Sequence, residues 1–168
     1  SGTDRIQEYI EELAFSDDEL VINVQGDEPL IEVEAVNQLG SFMVDNQFQY
    51  GTIAKNFTDD NYLNDANKVK VLVDGNKGLD FYRTNPNSYH HNCKVLHHIG
   101  IYAFTNEALL RYVNLKRTSL EIERNLEQMR ALQNKINIEV GFTSSSPLSV
   151  DTFEDLEKIR SMMRKNKL

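Results

Sequence analysis

The block Gln25-Gly26-Asp27-Glu28-Pro29 gathers an amide, a glycine and two carboxylates directly after the apolar run Leu20-Val21-Ile22-Asn23-Val24. In open α/β sheets, ligands bind beyond the carboxyl ends of strands, and this block stands at such an end. Gly26 lets backbone approach a ligand, Gln25 offers both a donor and an acceptor, and Asp27 offers a hard oxygen of the kind Mg²⁺ takes. The same residue types also make an ordinary strand-ending turn. A second carboxylate, Asp151 in Ser149-Val150-Asp151-Thr152, has an equally plain alternative as a helix cap or first-turn charge. Two carboxylates from distant parts of a chain are what an ion bridging substrate phosphates needs. Nothing in their positions alone brings these two together.

Two histidine pairs, His90-His91 and His97-His98, invite a metal reading. Adjacent strand residues point to opposite faces, so His97 and His98 are poorly placed to grip one ion. The single cysteine, Cys93, is too little to complete a zinc set. One histidine facing the site as a neutral or switchable hydrogen-bonding group is the better expectation. Glu127, Gln128 and Arg130 flank the apolar stripe of a helix and read as a solvated face or as a polar cluster. Arg83 and Lys70 read as surface cations or as partners for phosphate and carboxylate. No nucleophile elbow, Walker A loop or dinucleotide glycine fingerprint occurs, which removes the commonest hydrolase, P-loop and dehydrogenase readings.

The elements that must position these groups alternate. Ile6, Tyr9, Ile10 and Leu13 recur at helical spacing behind Thr3-Asp4, predicting a helix over 3–14 that a Thr-Asp opening can cap. Residues 20–24 read as a buried parallel strand, and Val33, Val36, Leu39 and Met43 mark a second helix. Strands follow at 50–54, 69–73 and 78–82, the last two joined by Asp74-Gly75-Asn76 as a hairpin turn. Residues 84–94 read as an exposed loop, 98–104 as a strand, and Thr105 as the start of a helix. Thr118 with Glu121 forms a capping box for a helix running through Leu132. Residues 136–140 alternate as a strand, and Asp151-Thr152 with Asp155 opens a last helix carrying Leu156, Ile159 and Met163. This succession predicts one α/β domain over residues 1–168, with a mixed, mainly parallel sheet flanked by helices.

Composition narrows the partners. With 18 Lys+Arg against 26 Asp+Glu, the chain carries a net charge of −8, which argues against binding nucleic acid by blanket phosphate neutralisation. An apolar fraction of 40% is enough to fill a core. No segment reads as a membrane span or a signal peptide, and a lone cysteine fits a reducing, cytoplasmic compartment. The chain opens on a helix start with no strand before it.

In their order, Ser1-Gly2-Thr3-Asp4-Arg5, Val21 to Pro29, Asn67-Lys68-Val69-Lys70-Val71, His98 to Ala103, Leu126 to Arg130 and Val150 to Leu156 resemble the 3-deoxy-manno-octulosonate (Kdo) cytidylyltransferases. The resemblance runs from the first residue nearly to the last. It implies a Rossmann-like nucleotidyltransferase fold and the joining of CTP to Kdo, giving CMP-Kdo and pyrophosphate for lipopolysaccharide assembly. It implies Asp27 and Asp151 as catalytic Mg²⁺ ligands and Arg5 and Gln25 in nucleotide binding. Gln25, Arg83, His98, Tyr102, Glu127 and Gln128 fall at positions around the sugar. A homodimer follows as well, with the dimer and sugar-binding part near 78–118.

Family members begin with an additional strand and a phosphate loop rich in Gly, Arg and Lys. The resemblance therefore implies that this chain corresponds to the C-terminal two-thirds of such a domain, with low turnover by itself. Phe81-Tyr82-Arg83-Thr84-Asn85-Pro86, His97 and Ser149 depart from the family's usual Phe-Ser-Arg, basic residue and Gly. These departures leave room for another acidic sugar, such as N-acetylneuraminate. A non-catalytic dimerising remnant is the alternative of a different class.

Overall fold

The computed structural model describes residues 2–13, 15–57, 63–84, 93–145, 148–150 and 152–166. The elements run α1 (Gly2–Leu13), β1 (Leu20–Val24), α2 (Val33–Asn46), β2 (Tyr50–Lys55), β3 (Lys70–Asp74) and β4 (Lys77–Tyr82). They continue with β5 (Lys94–Thr105), α3 (Asn106–Val113), α4 (Ser119–Arg124), α5 (Gln128–Gln133), β6 (Glu139–Phe142) and α6 (Phe153–Asn166). The strands form one sheet in the order β1-β5-β2-β6-β4-β3, with β3 also paired to β5.

The expected α/β architecture with a mixed sheet is what forms. The parallel share is smaller than expected: among the described strands only β2 and β6 run parallel, and every other pairing is antiparallel. The cause is β5, which is longer than its central residues predicted. Its first half lies antiparallel to β3 and its second half antiparallel to β1, while β2 follows it along the other side. The β3–β4 hairpin adds a further antiparallel pair around Gly75, whose φ of 58° suits an Asp-Gly turn.

Each face of the sheet carries its own apolar layer. Under α2, Leu39 and Met43 pack on Ile53, Ile99 and Ile101. On the opposite face, Phe81, Phe104, Leu109, Tyr112, Met129 and Ile138 form the larger cluster, with Val71 and Leu126. Alternation along β5 divides its side chains between these layers.

Three sequence expectations shift. Thr3 lies inside α1 and is not its cap; its hydroxyl is used elsewhere. The single helix expected over 118–132 is two, because Asn125 adopts a left-handed conformation (φ 52°) and its N–H donates to the Glu121 carbonyl, ending α4. Asparagine tolerates that conformation better than most residues. The strand expected at 136–140 starts at Glu139, because Asn134, Lys135 and Ile136 are still hydrogen-bonded to the end of α5. Of the loop expected at 84–94, residues 85–92 lie outside the described residues, as do His90 and His91.

Candidate active site

The first layer of the site is β5. His98, Gly100 and Tyr102 alternate onto one face of it, and the register with β2 jumps from Thr52↔Tyr102 to Ile53↔Ile99. A slip of two residues preserves parity, so His98 and Tyr102 remain on the same side. Phe81 meets the His98 ring edge-on at 5.2 Å and Tyr102 lies 5.5 Å from it. His97, its neighbour, stacks on Phe57 at 5.6 Å.

Around this strand lies a cleft of about 270 Å³. The turn after β1 supplies Gln25 and Asp27, and the end of β4 supplies Arg83. The α4–α5 junction supplies Glu127 and Gln128, and β5 supplies His98 and Tyr102. Seven of the nine site candidates read from the sequence thus meet in one cavity. The helix break at Asn125 is what turns Leu126-Glu127-Gln128 toward it. The solvated face expected for this stretch is not found at Gln128 or Arg130, which are both buried.

The remaining two candidates stand differently. Arg5 is exposed on α1 and is absent from the cleft lining among the described residues. Two residues apart on a helix is more than half a turn, and it is Thr3 that faces inward. Its hydroxyl donates to Glu127 Oε2 (3.0 Å) and accepts from Asn23 Nδ2 (3.4 Å), so β1, α1 and the α4–α5 junction are tied through one hydroxyl. Asp151 lies outside the described residues. Its neighbour Val150 donates its backbone N–H to the Asp27 carbonyl at 2.8 Å, and Ser149 lines the cleft.

Electrostatics follow from burial. Burial lowers the pKa of His98 to about 3, with the charges of His97 and Arg83 adding to the effect, so the ring is neutral near pH 7. Burial, with the Glu127 carboxylate beside it, raises the Tyr102 phenol far above its ordinary range; the phenol stays protonated and is hydrogen-bonded with Gln128. Lys70 is neither a surface cation nor a ligand partner. It is fully buried, its Nζ donates to the Asp65 carbonyl and to the Arg83 carbonyl (2.7 Å), and burial lowers its pKa. The Arg83 guanidinium in turn donates to the Asn67 carbonyl at 3.0 Å. Lys70 therefore fastens the 65–68 segment and Arg83 to each other.

Sequence reasoning overlooked Thr52, because a buried threonine in an alternating strand reads as core. It also overlooked Lys68, which lines the cleft but carries no pattern of its own. Among the described residues no group of three or more His, Cys, Asp or Glu is clustered as for a metal. That does not disfavour Mg²⁺, which is commonly held by one or two carboxylates together with substrate phosphates and water. Asp27 lines the cleft and its carbonyl accepts from the Val150 N–H, and one cleft carboxylate is compatible with an ion held that way.

The cytidylyltransferase family model matches residues 1–138. The chain is 34% identical over 185 aligned positions to the 3-deoxy-manno-octulosonate cytidylyltransferase of Pasteurella multocida (strain Pm70), covering 98% of this chain and 71% of that enzyme. It is 37% identical to the enzyme of the same name from Francisella tularensis subsp. novicida (strain U112), covering 96% and 69%. Among solved structures, a CMP:2-keto-3-deoxy-manno-octonic acid synthetase complexed with CTP superposes with a TM-score of 0.84 at 32% identity, covering 99% of this chain and 69% of that one. A putative glucose-1-phosphate thymidylyltransferase from Bacillus anthracis, at 11% identity and a TM-score of 0.57, shares the fold alone.

Proposed function

The chain belongs to the cytidylyltransferase family, and from that premise we propose that it works as a 3-deoxy-manno-octulosonate cytidylyltransferase, joining CTP to Kdo and releasing pyrophosphate. The observation that best supports this reading is the convergence of Gln25, Asp27, Arg83, His98, Tyr102, Glu127 and Gln128 on one cleft. Its lining mixes neutral donors and acceptors with three carboxylates, Asp27, Glu28 and Glu127, and two cations, Arg83 and Lys68. A polyhydroxylated acid needs such a surface: hydroxyls want both donors and acceptors, and the carboxylate wants a guanidinium. A bare dimerising remnant has no use for it.

In the proposed reaction the anomeric hydroxyl of Kdo attacks the α-phosphorus of CTP in line. The O–P bond forms as the bond to the β-phosphate oxygen breaks, and pyrophosphate leaves. Asp27 and Asp151 would hold Mg²⁺. When bound, that ion supplies neutralisation of the triphosphate charge and a lowered pKa for the attacking hydroxyl. A local cation also reconciles a net charge of −8 with a polyanionic substrate. Gln25 and Arg5 are assigned to the nucleotide. Gln25, Arg83, His98, Tyr102, Glu127 and Gln128 are assigned to the sugar, where a fixed geometry brings the reacting atoms together without further loss of freedom.

Residues 1–168 serve in this reading as one cytidylyltransferase domain of a homodimer, with the contact near 78–118. The compartment is the cytoplasm and the product feeds lipopolysaccharide assembly. A lone Cys93 fits the compartment, and among the described residues no helix is long and apolar enough to cross a membrane.

The test is pyrophosphate release from CTP with Kdo, compared with N-acetylneuraminate, at graded Mg²⁺. Release with Kdo, slow for this chain by itself and abolished by chelation, is the expected result; turnover of N-acetylneuraminate alone would overturn the choice of sugar. Asp27→Ala should reduce turnover by about 100-fold or more and shift the Mg²⁺ requirement upward. Unchanged Mg²⁺ dependence would remove Asp27 from the ligand set.

A further inference from the structure

The surroundings of Thr52 decide which nitrogen of His98 carries its proton. Thr52 is fully buried on β2, at the point where the register with β5 slips. Its Oγ1 lies 2.7 Å from the Ile101 carbonyl oxygen, 3.3 Å from that of Ile99 and 2.9 Å from His98 Nε2. A hydroxyl has one proton to donate. If it went to the ring, the hydroxyl oxygen would face a carbonyl oxygen at 2.7 Å with no hydrogen between them, an uncompensated contact of two acceptors in a dry site. Given instead to Ile101, it leaves a lone pair on Oγ1 for an N–H of the ring. Nε2 is then the protonated nitrogen and Nδ1 the bare one. The ring does not gain a second proton at neutral pH, because burial disfavours its charged form.

We propose that Thr52 is a positioning residue that holds His98 as the neutral Nε2–H tautomer, so that the ring presents the cleft with a hydrogen-bond acceptor and reads a hydroxyl of the bound sugar acid, not its carboxylate. An unprotonated nitrogen accepts from a hydroxyl and repels a carboxylate. The carboxylate falls to Arg83, a cation on the same cleft with donors beyond the one it gives to the Asn67 carbonyl. The specificity part rests on the reading of the cleft as a sugar-acid site, and the tautomer part stands without it.

The two parts are tested separately. In ligand-free protein with ¹⁵N-labelled histidine, the His98 resonances are assigned by their loss in His98→Gln. Near neutral pH, Nε2 should carry the pyrrole-type signal and Nδ1 the pyridine-type signal; the opposite order overturns the proposal whether or not the protein uses Kdo. In steady-state kinetics, Thr52→Val should raise KM for Kdo about 5- to 10-fold, the equivalent of one neutral hydrogen bond, with KM for CTP unchanged. Thr52→Ser, which keeps the hydroxyl, should restore both the tautomer and KM. A wild-type KM for Kdo in Thr52→Val, or equal rises for both substrates, overturns the specificity part. Absence of any turnover in the wild type overturns the proposed function and leaves the nitrogen signals to decide the tautomer.

Discussion

His98 is largely buried among the Phe81 and Tyr102 rings and the Thr52 hydroxyl, with only its edge on the cleft, so protonating it means charging a group that has lost most of its hydration. Its folded pKa of about 3 lies below the ordinary 6.5, so between these values the unfolded chain binds the extra proton and the folded chain does not. Stability from this group is therefore complete above about pH 6.5 and falls as pH drops toward 3, by at most about 1.4 kcal/mol per unit. Denaturant unfolding followed between pH 7 and 4 should show a steeper acid loss in the wild type than in His98→Gln. Parallel curves would contradict the burial argument. Lys70 makes a second case at this scale. Lys70→Met strips the donor from the carbonyls of Asp65 and Arg83, which should cost about 1–3 kcal/mol of unfolding free energy. Because Arg83 then loses its anchor, KM for Kdo should rise more than KM for CTP.

The α4–α5 junction owes its shape to a buried pair. Arg130 donates to Glu121 through Nε (2.9 Å) and Nη2 (2.6 Å), both residues are buried, and the guanidinium lies 4.9 Å over the Tyr112 ring. Burial alone would raise the Glu121 pKa, but hydrogen bonds from Arg130 and from the Thr118 backbone hold it below the usual carboxylate range. The Tyr112 hydroxyl donates to the Glu127 carbonyl at 2.9 Å, which carries the constraint into the cleft. Glu121→Ala leaves an uncompensated buried guanidinium and should cost about 3–5 kcal/mol, read as a large loss of thermal stability. Replacing both partners, as Glu121→Leu with Arg130→Met, should recover most of that loss. At the turn itself, Asn125→Val should cost about 1–2 kcal/mol through the left-handed backbone, whereas Asn125→Gly should be nearly neutral.

Across the whole molecule the strand pairings close on themselves, β5 to β2 to β6 to β4 to β3 and back to β5. The weakest link is β4–β6, where a Lys77↔Glu139 pairing is accompanied by hydrogen bonds from Gly78 N–H to the Ile138 carbonyl (2.9 Å) and from Val140 N–H to the Asn76 carbonyl (2.6 Å). A Cβ on Gly78 would meet Val140 Cγ2 at 3.1 Å, the Ile138 carbonyl oxygen at 3.2 Å and Phe81 Cε2 at 3.3 Å. Gly78→Ala should therefore strain the closure by about 1–3 kcal/mol, measurable as a lower denaturation midpoint with an unchanged slope. A wild-type midpoint would show that β6 and Phe81 can give way.

Period and punctuation made the elements legible. The alternation of β5, the capping box at Thr118 and the Asp-Gly hairpin are short-range facts, and short-range steric and hydrogen-bonding preferences write them directly into the residue order. The motif blocks likewise pointed to Asp27, His98 and Glu127 before any fold was known. The sequence did not reveal that Asn125 would split a helix, since asparagine serves equally well on a solvated surface. Nor did it reveal that Lys70, Gln128 and Arg130 are buried, because a charged or polar residue has no local signature of burial. Thr52 became visible only when the β2–β5 slip set two carbonyls and an imidazole around its hydroxyl. Local pattern determines which elements form. Which partner each polar side chain finds is decided by contacts between residues far apart in the chain, and only the closed tertiary structure supplies them.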